Sequence, residues 1–219
     1  MYSSEIKRNI ALVRENVARA AAGNPVTIVG AVKSVTPELI NAAVECGITD
    51  IGENRVQEYI AKRDAVKSAK WHFIGTLQKN KAKYLVGNVN LIQSINSVSL
   101  AGEISRLAIL RKVTQDVLIE VNIGNEPSKT GAAIDAAQEI ADCVQGLSGI
   151  RVRGLMTVPP KDADDDVYRG VRDLFEALAR GKKDFNILSV GMSGDYERAI
   201  HFGSNMVRIG TALFGARQR

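Results

Sequence analysis

The chain has 219 residues, of which 45% are hydrophobic, 24% charged and 5% aromatic, enough for one large core burying roughly 70% of its unfolded surface and unlike disordered, collagen-like or coiled-coil sequences. Twenty-nine Lys and Arg against twenty-four Asp and Glu leave a net charge of +5, dispersed along the chain without the basic, aromatic-studded stripe that nucleic-acid binding needs. No run of about 20 apolar residues occurs and the N-terminus lacks a signal-peptide core, so a cytoplasmic protein with no membrane segment is expected.

Apolar Ile6, Ile10, Val13, Val17 and Ala20 recur at helical spacing and predict an opening helix that stops before Pro25. Residues 26–32 (VTIVGAV) form a β-branched run uninterrupted by charge, the pattern of a parallel strand covered on both faces, and it ends abruptly at Lys33. Thr36-Pro37-Glu38 then reads as an N-cap, a proline in the first turn and a first-turn acid, opening a helix that closes near Gly47. The unit repeats, with strands predicted over 49–52, 71–74, 91–95, 117–121, 152–156, 187–190 and 206–209. Helical patterns run over 55–68, 99–111, 132–144 and 167–179. The acids of Asp162 to Asp166 suit a loop and a helix N-terminus, and Lys79, Lys81 and Lys83 an exposed helix start.

Eight strands alternating with helices predict an α/β fold, a single (β/α)8 TIM-type barrel filling one domain over residues 1–219. An open doubly wound sheet would carry a glycine-rich first turn, whereas Lys33-Ser34-Val35-Thr36 has no glycine. Chemistry in such a barrel sits at the C-terminal strand ends. Here these carry Lys33, Glu53, Asn54, Arg55, Gly75, Thr76, Ser94, Asn96, Ser97, Asn122, Thr157, Ser193, Arg208, Gly210 and Thr211.

Lys33 ends an inward-pointing series with Thr27, Val29 and Ala31, as either a snorkelling side chain or a nucleophilic amine. The turns at Ser189 to Asp195 and Arg208 to Ala212 contain glycine and hydroxyl residues, the makings of an anion cradle where this fold usually binds phosphate. A lysine and a phosphate cradle in one mouth point to a phosphorylated carbonyl ligand, and both pyridoxal 5′-phosphate (PLP) and a sugar phosphate qualify. Cys46 and Cys143 read as two separate thiols, and with only His72 and His201 no metal cluster can be assembled. His72 reads as a hydrogen-bonded strand residue.

Over nearly its whole length the chain resembles the pyridoxal phosphate homeostasis protein family. The blocks that carry the resemblance are the Lys33 strand end, Ile51-Gly-Glu-Asn-Arg-Val-Gln-Glu58, His72-Phe-Ile-Gly-Thr-Leu-Gln-Lys-Asn-Lys-Ala-Lys83, Val121-Asn-Ile with Lys129-Thr-Gly131, Gly154-Leu-Met156, Gly191-Met-Ser-Gly-Asp-Tyr-Glu197 and Met206-Val-Arg-Ile-Gly-Thr-Ala-Leu-Phe-Gly215. Val32 and Ile51 depart from its common residues.

The resemblance implies a barrel similar to the alanine racemase N-terminal domain, with PLP held as a Schiff base by Lys33. It places Asn54 and Met156 near the ring, Ser193, Gly210 and Thr211 at the phosphate, and Arg208 at the pyridine nitrogen. No catalytic group is expected. A racemase uses acid and base groups on both faces of its substrate, and the second domain that supplies one of them in alanine racemase is not expected here. Among the tyrosines only Tyr196 lies close in sequence to a strand end. The expectation is a monomeric PLP-binding homeostasis protein that holds and releases the cofactor, with PLP-dependent apoenzymes as recipients. The alternatives are a low-activity amino-acid racemase or Schiff-base aldolase, and an anion- or RNA-binding module using Lys79 to Lys83.

Overall fold

A computed structural model describes residues 2–124 and 130–215. Among them eight parallel strands close into a barrel in chain order: β1 (Thr27–Ala31), β2 (Asp50–Glu53), β3 (Lys70–Phe73), β4 (Leu91–Ile95), β5 (Gln115–Val121), β6 (Ile150–Thr157), β7 (Ile187–Ser189) and β8 (Met206–Ile209). The last strand pairs with the first, Thr27 opposite Met206 and Val29 opposite Arg208. The expected (β/α)8 barrel is therefore the observed fold. Among the described residues no helix is long and apolar enough to cross a membrane.

Helix α1 (Tyr2–Ala21) precedes the barrel. Its stripe of Ile6, Ile10, Val13, Val17 and Ala21 is buried against Ile48, Tyr196, Ile200, Val207 and Leu213, so it covers the seam where β1 meets β8. The predicted helices follow as α2 (Pro37–Glu45), α3 (Val56–Lys62), α4 (Val98–Arg111), α5 (Ile134–Gln145) and α6 (Asp165–Ala179), then α7 (Tyr196–His201) and α8 (Thr211–Phe214). Helix α3 is shorter than its apolar pattern, because Lys62 leaves the surface for a buried ion cluster. Between β3 and β4 the connection is a 3-10 helix (Lys79–Tyr84) whose Ala82 alone is buried; Lys81 and Lys83 lie against the Tyr84 ring. Asp164 caps α6 through Val167 N–H at 3.1 Å. Thr36 stands at the N-cap of α2, but its hydroxyl serves the Glu38 carboxylate rather than a backbone N–H, holding that carboxyl below its usual range.

Most of the core lies between strands and helices, with Phe73, Ile92, Ile104 and Val117 at its centre. A smaller cluster of Val29, Leu91, Leu118, Met156 and Met206 plugs the barrel interior. Gly154 allows β6 to reach β7: a Cβ there would lie 1.8 Å from the Ile187 carbonyl oxygen, and its φ of +149° is one that L residues rarely adopt. The β5–β6 register shifts just before this residue.

Candidate functional site

At the C-terminal ends of the strands opens a cavity of about 880 Å³, within the range of small-molecule sites. Six of the seven residues singled out by sequence line it: Lys33, Asn54, Ser193, Arg208, Gly210 and Thr211. Met156 does not. It is 2% exposed, part of the apolar plug inside the barrel.

Lys33 lies two residues past β1, half-buried, between Val32 and Ser34. Both neighbours are held by one ion cluster. The Lys62 ammonium donates to the Val32 carbonyl at 2.9 Å, to Glu53 Oε1 at 2.6 Å and to Glu58 Oε2 at 3.1 Å. Glu58 Oε2 accepts from Ser34 N–H at 2.9 Å, and Glu53 Oε2 from Asn54 N–H at 2.9 Å. Ser34 adopts a left-handed φ of 61°, which the bond to Glu58 helps to hold. Glu53 is fully buried; burial pushes its carboxyl up, and the Lys62 bond and charge oppose the shift. Burial also works to raise Glu58, but Ser34 N–H and Lys62 bring it below the usual range. Asn54 is fixed from behind by Gly75, where a Cβ would stand 2.2 Å from the Asn54 carbonyl oxygen.

Across the mouth, the 192–195 turn is pinned by Asp195. Its carboxylate accepts from Met192 N–H at 2.7 Å and from the Tyr168 hydroxyl at 2.7 Å. This delivers Ser193 Oγ to the backbone N–H groups of Gly210 and Ala212, each 3.2 Å away. Two amides thus converge on one oxygen at the cavity wall, the donor geometry that a phosphate oxygen requires.

Arg208 is 4% exposed. Its Nη1 donates to Ser189 O and Ser189 Oγ, both at 2.7 Å, and its Nη2 to Thr157 O at 2.8 Å. Burial pushes its pKa down to about 10, against the pull of Asp195 and Glu120, so it stays a cation at neutral pH. Glu120, on β5, accepts from the Thr130 hydroxyl at 2.6 Å through one oxygen, while its other oxygen is buried without a hydrogen-bond partner among the described residues. Burial raises this carboxyl, opposed by Thr130 and Arg208.

His72 is buried on β3 between Asp50 and Gln93, as a hydrogen-bonded strand residue. Tyr196 turns away from the mouth: its hydroxyl accepts from Asn16 of α1 at 3.0 Å. Lys79 bonds Ser99, and none of Lys79, Lys81 and Lys83 lines the cavity. Lys129 lies outside the described residues. Sequence reading passed over Glu53 as an ion-pair partner, Glu58, Lys62, Gln93 and Ser189. The i,i+4 spacing of Glu58 and Lys62 was the one available signal; the other pairings join residues from different elements of the barrel. Among the described residues no group of three or more His, Cys, Asp or Glu could hold a metal ion.

The sequence profile of the alanine racemase N-terminal domain family matches residues 3–218. The pyridoxal phosphate homeostasis protein of Aquifex aeolicus (strain VF5) is 42% identical over 224 residues, covering 97% of each chain. The solved structure of PipY from Synechococcus elongatus PCC7942 with PLP bound superposes with a TM-score of 0.84 at 27% identity, over 96% of this chain and 100% of that one. Alanine racemase from Clostridium difficile 630 shares the fold, with a TM-score of 0.78 at 16% identity, over 97% of this chain and 58% of its own.

Proposed function

Because the chain belongs to the pyridoxal phosphate homeostasis protein family, built on the alanine racemase N-terminal barrel, we propose that it binds PLP in the barrel mouth, holds it through the Lys33 amine and releases it without turning over a substrate. The observation that carries this reading is a single cavity lined by a half-buried lysine, a buried guanidinium and the Ser193, Gly210 and Thr211 cradle, in which Ser193 Oγ gathers the Gly210 and Ala212 amides. These groups fit the three handles of PLP: its aldehyde, its ring nitrogen and its phosphate.

When bound, PLP supplies an aldehyde that condenses reversibly with a primary amine. Lys33 is the primary amine on the cavity wall, and the Lys62 cluster holds the backbone on both sides of it. Gly210, Ala212, Ser193 and Thr211 offer backbone and hydroxyl donors to the phosphate, and Asn54 stands beside the ring. Arg208 has only donors, so facing the ring nitrogen it would donate to it and leave no proton on it. That withholds the protonated ring on which most PLP catalysis depends.

Carriage rather than turnover is supported by the tyrosines nearest the mouth. Tyr196 is committed to α1, and Tyr168 to Asp195, burial and that carboxylate raising its pKa far above the ordinary phenol value. Neither lines the cavity. The protein would act as a monomer, passing PLP to PLP-dependent apoenzymes in a reducing cytoplasm, where free Cys46 and Cys143 fit.

Incubation with PLP, borohydride reduction and peptide mapping test the assignment. The label is expected on Lys33, and Lys33→Ala should lose the visible absorption of bound PLP while keeping its far-UV circular dichroism. A label elsewhere overturns the site. Steady amino-acid racemisation by the purified protein, abolished in Lys33→Ala, overturns the carrier reading in favour of an enzyme.

A further inference from the structure

The hydrogen bonds of Arg208 described above all end on uncharged acceptors, two carbonyls and a hydroxyl. A guanidinium so deeply buried needs both counter-charge and fixed acceptors. Asp195 and Glu120 act on it through space, and a third carboxylate is reached by following the hydrogen bonds onward. Ser189 Oγ lies 2.7 Å from Gln93 Oε1, Gln93 Nε2 lies 3.0 Å from His72 Nδ1, and His72 Nε2 lies 3.1 Å from Asp50 Oδ1. The path runs through the barrel interior from Arg208 at the mouth to Asp50, the first residue of β2, at the floor.

The two ends and the Gln93 amide together fix its direction. A guanidinium only donates and an ionised carboxylate only accepts, and Gln93, with its oxygen towards Ser189 and its nitrogen towards His72, joins them in one sense, from Arg208 towards Asp50. Ser189 accepts from Arg208 and gives its proton to the Gln93 oxygen. The Gln93 amide nitrogen must then donate to Nδ1 of His72, which leaves the ring proton on Nε2, facing Asp50. Aligned bonds of this kind polarise one another. Burial works to raise the Asp50 carboxyl, but the His72 hydrogen bond, with Lys70 and Thr49, brings it below the ordinary range.

We propose that Asp50, His72, Gln93 and Ser189 are positioning residues for Arg208, forming a one-directional hydrogen-bonded relay along the barrel interior that orients it towards the ring of bound PLP. The identity of the ligand rests on the reading above, whereas the relay itself is independent of it.

The relay is read first in the protein without added PLP. With only two histidines in the chain, nitrogen-15 NMR of histidine-labelled protein resolves both rings, His201→Gln assigning them. His72 should show an unprotonated Nδ1 and a protonated Nε2, and Ser189→Ala, two links away, should shift its signals while Ser189→Thr restores them. A proton on Nδ1 overturns the relay. PLP binding is then measured in Asp50→Asn, which removes the charge at the floor with little change of shape. The affinity should fall by roughly tenfold, the size of a typical coupling between separated sites, and the absorption maximum of bound PLP should move, with borohydride still labelling Lys33. An unchanged affinity and spectrum in Asp50→Asn overturns the coupling. If the wild-type protein takes up no PLP at Lys33, the ligand assignment fails while the His72 signals still decide whether the relay exists.

Discussion

Lys62, on α3, donates to the backbone carbonyl of Val32, the residue that hands the chain to Lys33. The bond ties a helix on the outside of the barrel to the strand end that presents Lys33 to the cavity. It also places an ammonium against the fully buried Glu53 carboxylate. Breaking a buried pair from one side leaves an uncompensated charge, so Lys62→Met should cost about 3–5 kcal/mol in urea denaturation. The Lys62→Met/Glu53→Gln double variant should lose less than Lys62→Met alone, because the stranded charge is then gone. A loss in the double variant equal to the sum of the Lys62→Met and Glu53→Gln losses would mean that the two side chains act independently.

Glu120 provides a pH dependence. Burial raises its carboxyl, so the folded protein keeps a proton that the unfolded chain has already released. Stability contributed here falls as pH rises from the ordinary carboxylate range through the raised value. Gln has no such titration. In thermal melts the Glu120→Gln variant should gain on the wild type between pH 5 and pH 8, and a gain that shrinks over that range contradicts the assignment.

Gly75→Ala places a methyl group against the Asn54 carbonyl. The strand end must shift, at a cost of about 1–3 kcal/mol in stability. Because Asn54 lines the cavity, PLP affinity should fall along with the melting temperature. Loss of stability with unaltered affinity would remove Asn54 from the site.

Ser193→Ala tests the phosphate end alone. The hydroxyl is one of the groups offered to the phosphate, and losing one such bond is worth about 1.5 kcal/mol, near tenfold in affinity. Titration with PLP should show that loss, and titration with pyridoxal, which has no phosphate, should not. Equal losses for both would place the phosphate elsewhere.

Much of this was legible from the sequence. The bounds of β4 and β8 agree with the apolar runs, since each is a short β-branched or aliphatic segment closed by polar residues. Lys33, Asn54, Ser193, Arg208, Gly210 and Thr211 reach one cavity because parallel strands put their C-terminal ends at one face. Met156 shows where that logic ends: a strand position places a side chain inside the barrel, but its depth depends on strand stagger, and Met156 falls in the plug. The interior polar chain was illegible for another reason. Gln93 and Ser189 are 96 residues apart, and no local pattern records that two polar side chains meet across a barrel. The 3-10 helix at Lys79–Tyr84 likewise breaks the regular alternation because only one of its side chains has a core position to fill.

The seam between β1 and β8 has a consequence for how the protein folds. Lys33 follows the first strand, while Arg208 and Gly210 lie at the end of the last, so the two halves of the mouth are separated by nearly the whole chain until the barrel closes. Such pairings are the slowest to form, because chain entropy must be lost before the contact stabilises anything. A partly assembled barrel, lacking the β1–β8 pairing, has the amine without the cradle. PLP therefore selects the closed barrel, stabilises it in proportion to the logarithm of its concentration, and slows the opening of the seam. Refolding followed by cofactor absorbance would report ring closure directly, later than the burial of Trp71.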